Sequence, residues 1–475
     1  MNSTVVEPAV YFTSPDSSND GGQRPHRTIH DLPNELLAEV LIWAACMTHG
    51  GSLQRLPPIV FRQVNKDLRT AALKTPELWA NIHINLDDLR TEPACLQHVQ
   101  YLTSARELSG TRPIDLVILN TSEKEHAVWL DSSLLRAISQ IFRGDSRRIR
   151  SLKICSETMS LPELDGWLDT VFPRLDELVL DVKGAQKLVR AMPKKAPLLR
   201  TATVALHHFQ MSSPVFPMTG RVWITPGNAS EPYYRPALLM LNDAFRIFPR
   251  AVEMDVNLGR ADFAGLPSAV IDSNKWTHHR VRILSIYTRR GFVQAAASYD
   301  FPSLEVLNIR QMPRSPAETH KSSSASLTIP TLSTGIWNFI EFSGSFLRHI
   351  NIELPLTLDL VARNALRHAP RLERLRCTRG KMTSAFANEF GGVDGMWTNL
   401  FLTTIIIDGF MIEDGYDAAV AFVDAVEARN KAKDEGAVVS KVVKVAVRSW
   451  TNDVAEARLD TRVAQQHRLA QILTK

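Results

Sequence analysis

Two adjacent histidine pairs, His207-His208 and His278-His279, four cysteines and one glycine-rich run are the residues whose types suggest chemistry. Imidazole and thiolate are common zinc ligands, but a zinc site needs four groups that converge on one point. Cys46, Cys95, Cys155 and Cys377 are far apart and form no C-x-x-C pair or Cys/His cluster at zinc spacing. Neighbouring residues on a strand or helix point in different directions, so neither histidine pair is a chelate by itself. Both pairs read as surface or loop histidines, and the cysteines as buried free thiols of a reducing compartment. Phe390-Gly391-Gly392-Val393-Asp394-Gly395 has the glycine content of a phosphate cradle, but no lysine–serine pair follows it, and it reads as a turn. The nucleotide, zinc-protease and serine-nucleophile patterns are absent too. The expectation is a protein with no catalytic residue, no metal and no cofactor, whose task is binding.

Composition narrows the kind of binding. The 475 residues are 44% hydrophobic and 22% charged, with a net charge of only +5. The densest basic group, Arg143, Arg147, Arg148 and Arg150, is interrupted by Asp145 and reads as a solvated patch rather than a nucleic-acid surface. No apolar run approaches the ~20 residues of a membrane span, and the first residues lack a signal-peptide pattern. The expected location is the cytoplasm or the nucleus. This length exceeds one ordinary core and suits several units or a stack of repeats.

Residues 1–27 are polar and rich in Ser, Asn, Pro and Gly, and are expected to be a disordered leader. Order begins at IHDLPNELLAEVLIWAACM, with Asp31 placed to cap a helix and Pro33 in its first turn. Leu36, Leu37, Val40 and Leu41 recur at helical spacing. After a glycine-containing break, Ile59, Val60, Val64, Leu68 and Ala72 mark a second helix, which stops ahead of Pro76. Two short helices cannot build much of a core alone, so they need a partner, either the rest of the chain or another protein.

Three blocks of this segment resemble the F-box family: Leu32-Pro33-x-Glu35-Leu36-Leu37-x-Glu39-Val40, Val64-x-Lys66-x-Leu68-Arg69, and Thr75-Pro76-x-Leu78-Trp79. The resemblance implies a helical module over residues 28–80 that docks on the Skp-type adaptor of a cullin–RING ubiquitin ligase. The docking residues it implies are Leu32, Pro33, Leu36, Leu37, Val40, Leu41, Val64, Leu68, Leu78 and Trp79. The family's usual Val-Cys-x-x-Trp centre reads Val64-Asn65-Lys66-Asp67-Leu68 here, so its cysteine and tryptophan are absent.

The body, residues 81–450, carries a recurring pattern of apolar, two others, apolar, one other, apolar. It reads Ile149/Leu152/Ile154, Leu175/Leu178/Leu180 after Phe172-Pro173, and Leu199/Ala202/Val204 after Ala196-Pro197. Further copies begin at Ala251, Val281, Leu304, Leu347, Leu372 and Leu402, with atypical ones at Trp79 and at Ile114 (Ile114/Val117/Leu119). Most start roughly 23 to 30 residues apart, close to the leucine-rich-repeat spacing of about 20–29. Two wider gaps hold apparent insertions near 210–236 and 312–334. The repeat asparagine that ties successive turns is missing; Asp181-Val182 and Arg310-Gln311 stand where it is expected. The predicted fold class is thus α/β: a small helical F-box-like module, then an irregular leucine-rich-repeat-like solenoid of parallel strands with outer helices. An amphipathic helix over 451–475 is expected to cap it. The function so implied is recruitment of an unknown protein substrate to the ligase, or, alternatively, a ligase-independent scaffold. Neither nucleic acid nor membrane is expected as a partner.

Overall fold

A computed structural model describes residues 32–46, 61, 66–89, 91–120, 132–160, 170–183, 185–205, 215–225, 237–257, 276–288, 299–311, 329–354, 356–383, 385–386, 399–412, 416–440, 442 and 444–449. The expected leader, the C-terminal helix over 451–475, His207-His208 and the glycine-rich run at 390–395 lie outside them. The chain divides into two units, Met1–Leu78 and Trp79–Lys475.

In the first unit α1 (Asn34–Cys46) packs on α2 (Lys66–Lys74). Pro33 opens α1, and its carbonyl accepts from the Leu37 N–H at 3.0 Å. Leu37, Leu41, Leu68, Ala71 and Ala72 are buried. Proline at position 76 ends α2, and the Thr75 hydroxyl satisfies the freed Ala71 carbonyl at 2.8 Å. A short helix, α3 (Pro76–Ala80), follows.

The second unit is built on one long sheet in which every pairing is parallel. Its path runs through β1 (Asn81–Asn85), β2 (Ile114–Asn120), β3 (Ile149–Ser160), β4 (Glu177–Lys183), β5 (Thr201–Ala205), β6 (Arg221–Thr225) and β7 (Glu253–Asn257). A two-residue strand, β8 (Trp276–Thr277), pairs with β10 (Tyr299–Asp300) in a separate two-stranded sheet. The path passes from β7 to β9 (Ile283–Thr288), β11 (Val306–Gln311) and β12 (His349–Ile352). It ends with β14 (Arg374–Met382), β15 (Thr404–Ile412) and β16 (Lys444–Ser449); β13 (Leu356–Leu358) joins β14 from the side. Parallel neighbours need a crossover. Among the described residues α4 (Glu92–Leu108), α5 (Ser132–Asp145), α6 (Gln186–Lys195), α7 (Ala237–Ile247), α8 (Ile329–Ser343), α9 (Leu360–Arg367) and α10 (Tyr416–Asp434) lie in the connections.

The repeat pattern sets the register. Leu116, Leu152, Leu178, Ala202, Val222 and Met254 are lateral neighbours, and so are Ile118, Ile154, Leu180, Val204, Ile224 and Val256. All of them are buried. Each large side chain so buried stabilises the fold by roughly 1.5–3 kcal/mol, and none finds that burial without a neighbouring repeat. Ahead of the strands, the residue-Pro-x-Leu turns close with an N–H to C=O bond, as from Leu175 to Phe172 and from Leu304 to Phe301. Proline suits the second position of such a turn. Phe172 and Phe301 occupy the first position, as Phe216 and Phe248 do in the related Phe-Pro turns that end in Thr219 and Ala251, and all four are fully buried.

Four sequence expectations change here. The copy at Ile114 is framed one residue off: Leu116 and Ile118 face inward, with Val117 and Leu119 on the other face, because the register shifts between Ile114 and Asp115. A one-residue slip exchanges the faces of a strand. The apparent insertion at 210–236 contains β6, a full member of the sheet between β5 and β7. Its copy reads Thr219/Val222/Ile224, and a polar first letter hid it. Thr219 is buried and its hydroxyl donates to the Leu199 carbonyl at 3.1 Å. The stretch at 312–334 runs into α8, which starts at Ile329. Finally, His278 is not a surface histidine. It takes the buried place that phenylalanine holds in neighbouring turns, with Nε2 donating to the Phe248 carbonyl at 3.0 Å.

The ties between turns, expected from an asparagine after each strand, lie ahead of the strands instead. The Phe172 N–H donates to Lys195 O and the Phe216 N–H to Ile247 O, both across to the next turn. Asn399 ties in the opposite direction with its side chain, donating to Leu366 O and Ala369 O of the preceding turn at 2.7 and 2.8 Å.

Candidate functional site

Two surfaces stand out, one in each unit. On α1 the apolar residues fall on two faces. Leu37 and Leu41 are buried, whereas Leu32, Leu36, Val40 and Trp43 are 37%, 47%, 40% and 67% exposed. From Leu36 to Val40 is four residues and from Val40 to Trp43 three, the spacing of one helical face. A contiguous apolar stripe in water is unfavourable unless something covers it. Of the residues implied by resemblance, Leu32, Pro33, Leu36 and Val40 are exposed, and Leu37, Leu41, Leu68, Leu78 and Trp79 are buried. Val64 lies outside the described residues. The buried group holds local packing together: Trp79, in the second unit, packs at 6.5 Å from the Tyr101 ring. The sequence reading passed over Trp43, though its spacing from Leu36 and Val40 marked it.

In the second unit the outward residues of the sheet also form rows. One includes Asp115, Ser151, Glu177, Thr201, Arg221 and Glu253; it continues through Ile283, Val306, His349, Arg374 and Thr404. Adjacent strands lie about 4.8 Å apart, so opposite charges on neighbours meet. Arg150 reaches Asp115, Arg221 reaches Glu253 at 2.9 Å, and Arg282 reaches Glu305 at 2.7 Å. Lys153 and the Ser151 hydroxyl share the Glu177 carboxylate at 2.9 and 2.6 Å. Burial opposes ionisation of Glu177, but those two hydrogen bonds hold its pKa below the ordinary value. Asp115 likewise raises the pKa of Arg150 through a side-chain hydrogen bond. The expected solvated basic patch is therefore partly consumed. Arg148 donates to Asp145 and to Ser109, and Arg106 takes the other Asp145 oxygen at 2.7 Å.

Of the titratable groups that the sequence singles out, Cys95, Cys377 and His278 are buried, whereas Cys155 stands half-buried on the outward face of β3. Cys377 is buried, and burial pushes its thiol up to about 12. Burial, with Asp181 nearby, pushes Cys155 up to about 11. Such thiols stay protonated at neutral pH and are poor nucleophiles. Cys95 is buried, its thiol 3.4 Å from Leu89 O. Among the described residues no three His, Cys, Asp or Glu side chains gather as a metal site, and no helix is long and apolar enough to cross a membrane.

The fold and these surfaces define an α/β protein with a long parallel sheet, one short strand per repeat, consistent with a leucine-rich-repeat-like solenoid. No protein-family model matches the chain, and no curated protein matches it. Among solved structures it is similar to an internalin from Listeria monocytogenes, at 12% identity over 85% of this chain and 100% of that one, with a TM-score of 0.32. A protein from Bacteroides fragilis is similar at 12% identity over 58% of this chain and 75% of that one, with a TM-score of 0.26.

Proposed function

We propose that this chain is a recruiting adaptor rather than a catalyst: α1 docks on the Skp-type subunit of a cullin–RING ubiquitin ligase, and the open sheet face holds a target protein. It would act in the cytoplasm or the nucleus and use no cofactor. The observation that carries the docking half is the exposed stripe of Leu32, Leu36, Val40 and Trp43. It lies within the block whose residues resemble the F-box opening. Holding a target beside the ligase raises its effective concentration at the transfer site.

The test is a pull-down of the full chain with a Skp-type adaptor, comparing wild type with Leu36→Asp/Val40→Asp. These positions are exposed, so the double variant keeps its circular dichroism spectrum and loses adaptor binding. Wild type that fails to bind overturns the docking half. A ligase-independent scaffold is then the better reading, one favoured by the absence of the family's cysteine and tryptophan from the 64–68 segment.

A further inference from the structure

Along most of the sheet each outward cation has a carboxylate supplied by an adjacent strand, but β14 breaks this rule. Arg374 and Arg376 stand at successive outward positions. Their lateral neighbours are His349 and Thr404 for the first, and Asn351 and Ile406 for the second. None of these is acidic. Glu373, one residue earlier, is engaged by Arg348 at 3.5 Å and His349 at 3.7 Å. Asp408 stands a rung further along, in register with Thr378 and Arg448. Among the described residues no ion pair is made by Arg374 or Arg376. Arg376 Nε is shielded from solvent with no acceptor, and the Oδ1 of Asn351 beside it is shielded with no donor. The same rung therefore holds an unmet donor and an unmet acceptor beneath its surface, on laterally neighbouring residues.

We propose that this part of the sheet face binds an extended acidic segment of a protein partner, with carboxylates on alternate residues. Residues two apart on a strand are about 6–7 Å apart, so Arg374 and Arg376 present two positive groups at that separation. Alternate side chains of an extended peptide share it. Such a segment supplies from outside what Asp115, Glu177, Glu253 and Glu305 supply within the sheet. An arginine takes a carboxylate through two parallel N–H bonds, which favours this partner over a diffuse polyanion. The inference rests on the reading of the sheet face as the target-binding surface and is independent of α1 docking.

The experiment uses the full chain and a fluorescent octapeptide alternating Ser and Glu, with anisotropy read at low salt. Ser/Gln and Ser/Lys octapeptides and an octauridylate are the comparison probes. The expected result is saturable binding of the Ser/Glu peptide, weakened at least tenfold by Arg374→Glu/Arg376→Glu. Arg200→Glu, at an exposed cation in the turn ahead of β5, and Leu36→Asp/Val40→Asp should leave it within twofold. Retention of binding by the last variant when adaptor docking is lost separates failure of the docking reading from failure of this one. Two results overturn the proposal: no difference between the Ser/Glu and Ser/Gln peptides, or an octauridylate bound as tightly and lost in the same variant. The second would make the patch a nucleic-acid or general polyanion site. Loss of the circular dichroism signal in the double charge reversal sends the test to Arg374→Gln/Arg376→Gln, where binding within twofold of wild type also overturns it.

Discussion

Arg429, from α10, places its Nη2 2.6 Å from the backbone carbonyl of Asn399 and its Nε 3.3 Å from that of Ser440. The guanidinium is buried, and burial pushes its pKa down to about 10 while leaving it charged at neutral pH. Asn399 in turn has a positive φ of 51° and donates to two carbonyls of the preceding turn. Asn399→Ala removes both donors and forces alanine into the left-handed region, with an expected loss of about 2–4 kcal/mol. Asn399→Gly relieves the backbone but not the missing donors, so it should lose less than the alanine variant. Equal losses in urea unfolding would assign the whole effect to the amide.

A second prediction concerns acid. His98 on α4 is half-buried beside Tyr101 with its Nε2 shielded from solvent, and desolvation, aided by His83, lowers its pKa to about 4. The unfolded chain binds that proton near pH 6.5, the folded chain only near 4, so the unfolded state gains protons first as pH falls. The contribution is intact above pH 6.5 and is lost progressively between 6.5 and 4. His98→Gln should flatten that limb of the stability–pH curve, by about 2–3 kcal/mol at its foot. An unchanged slope would show that other groups set it.

Gly344 tests how closely two turns approach. A Cβ there would stand 2.9 Å from the His368 carbonyl oxygen, which is backbone and has little freedom to retreat. Gly344→Ala is expected to destabilise the second unit by about 1–3 kcal/mol. Denaturant midpoints of the two proteins measure it.

Thiol labelling gives a fourth test. With Cys377 pushed up to about 12 and Cys155 to about 11 by burial, neither forms much thiolate at pH 8. Both should react with an aromatic disulfide far more slowly in native protein than in guanidinium. Fast native labelling of Cys377 would mean that β14 opens locally.

Much of the fold was legible because an inward strand face repeats its letters. Leu178 with Leu180 and Leu307 with Ile309 read as apolar pairs, and they are buried where the pattern places them. Copies with an atypical letter escaped: Thr219 satisfies its hydroxyl on a neighbouring carbonyl, and periodicity cannot register that bond. The frame at Ile114 failed because both faces of β2 are apolar there. His278 escaped for a similar reason, since only the partner at Phe248 tells a buried imidazole from an exposed one. The surfaces were less legible. Leu36 and Leu37 are the same residue type side by side, one exposed and one buried, and only packing against α2 divides them. Arg374 and Arg376 differ from Arg221 and Arg282 in what the neighbouring repeat brings beside them, which lies far off in the sequence.

The alternation within each strand separates two kinds of inheritance. Leu152 and Ile154 answer to the core, whereas Ser151 and Lys153 face outward and meet the Glu177 carboxylate of the adjacent strand. One six-residue stretch thus carries folding instructions in every other letter and recognition in those between. Lineages of such a chain are free to rewrite the recognition letters one by one while the folding letters stand still. Inserting a single residue is the change they tolerate least, because it exchanges the two texts.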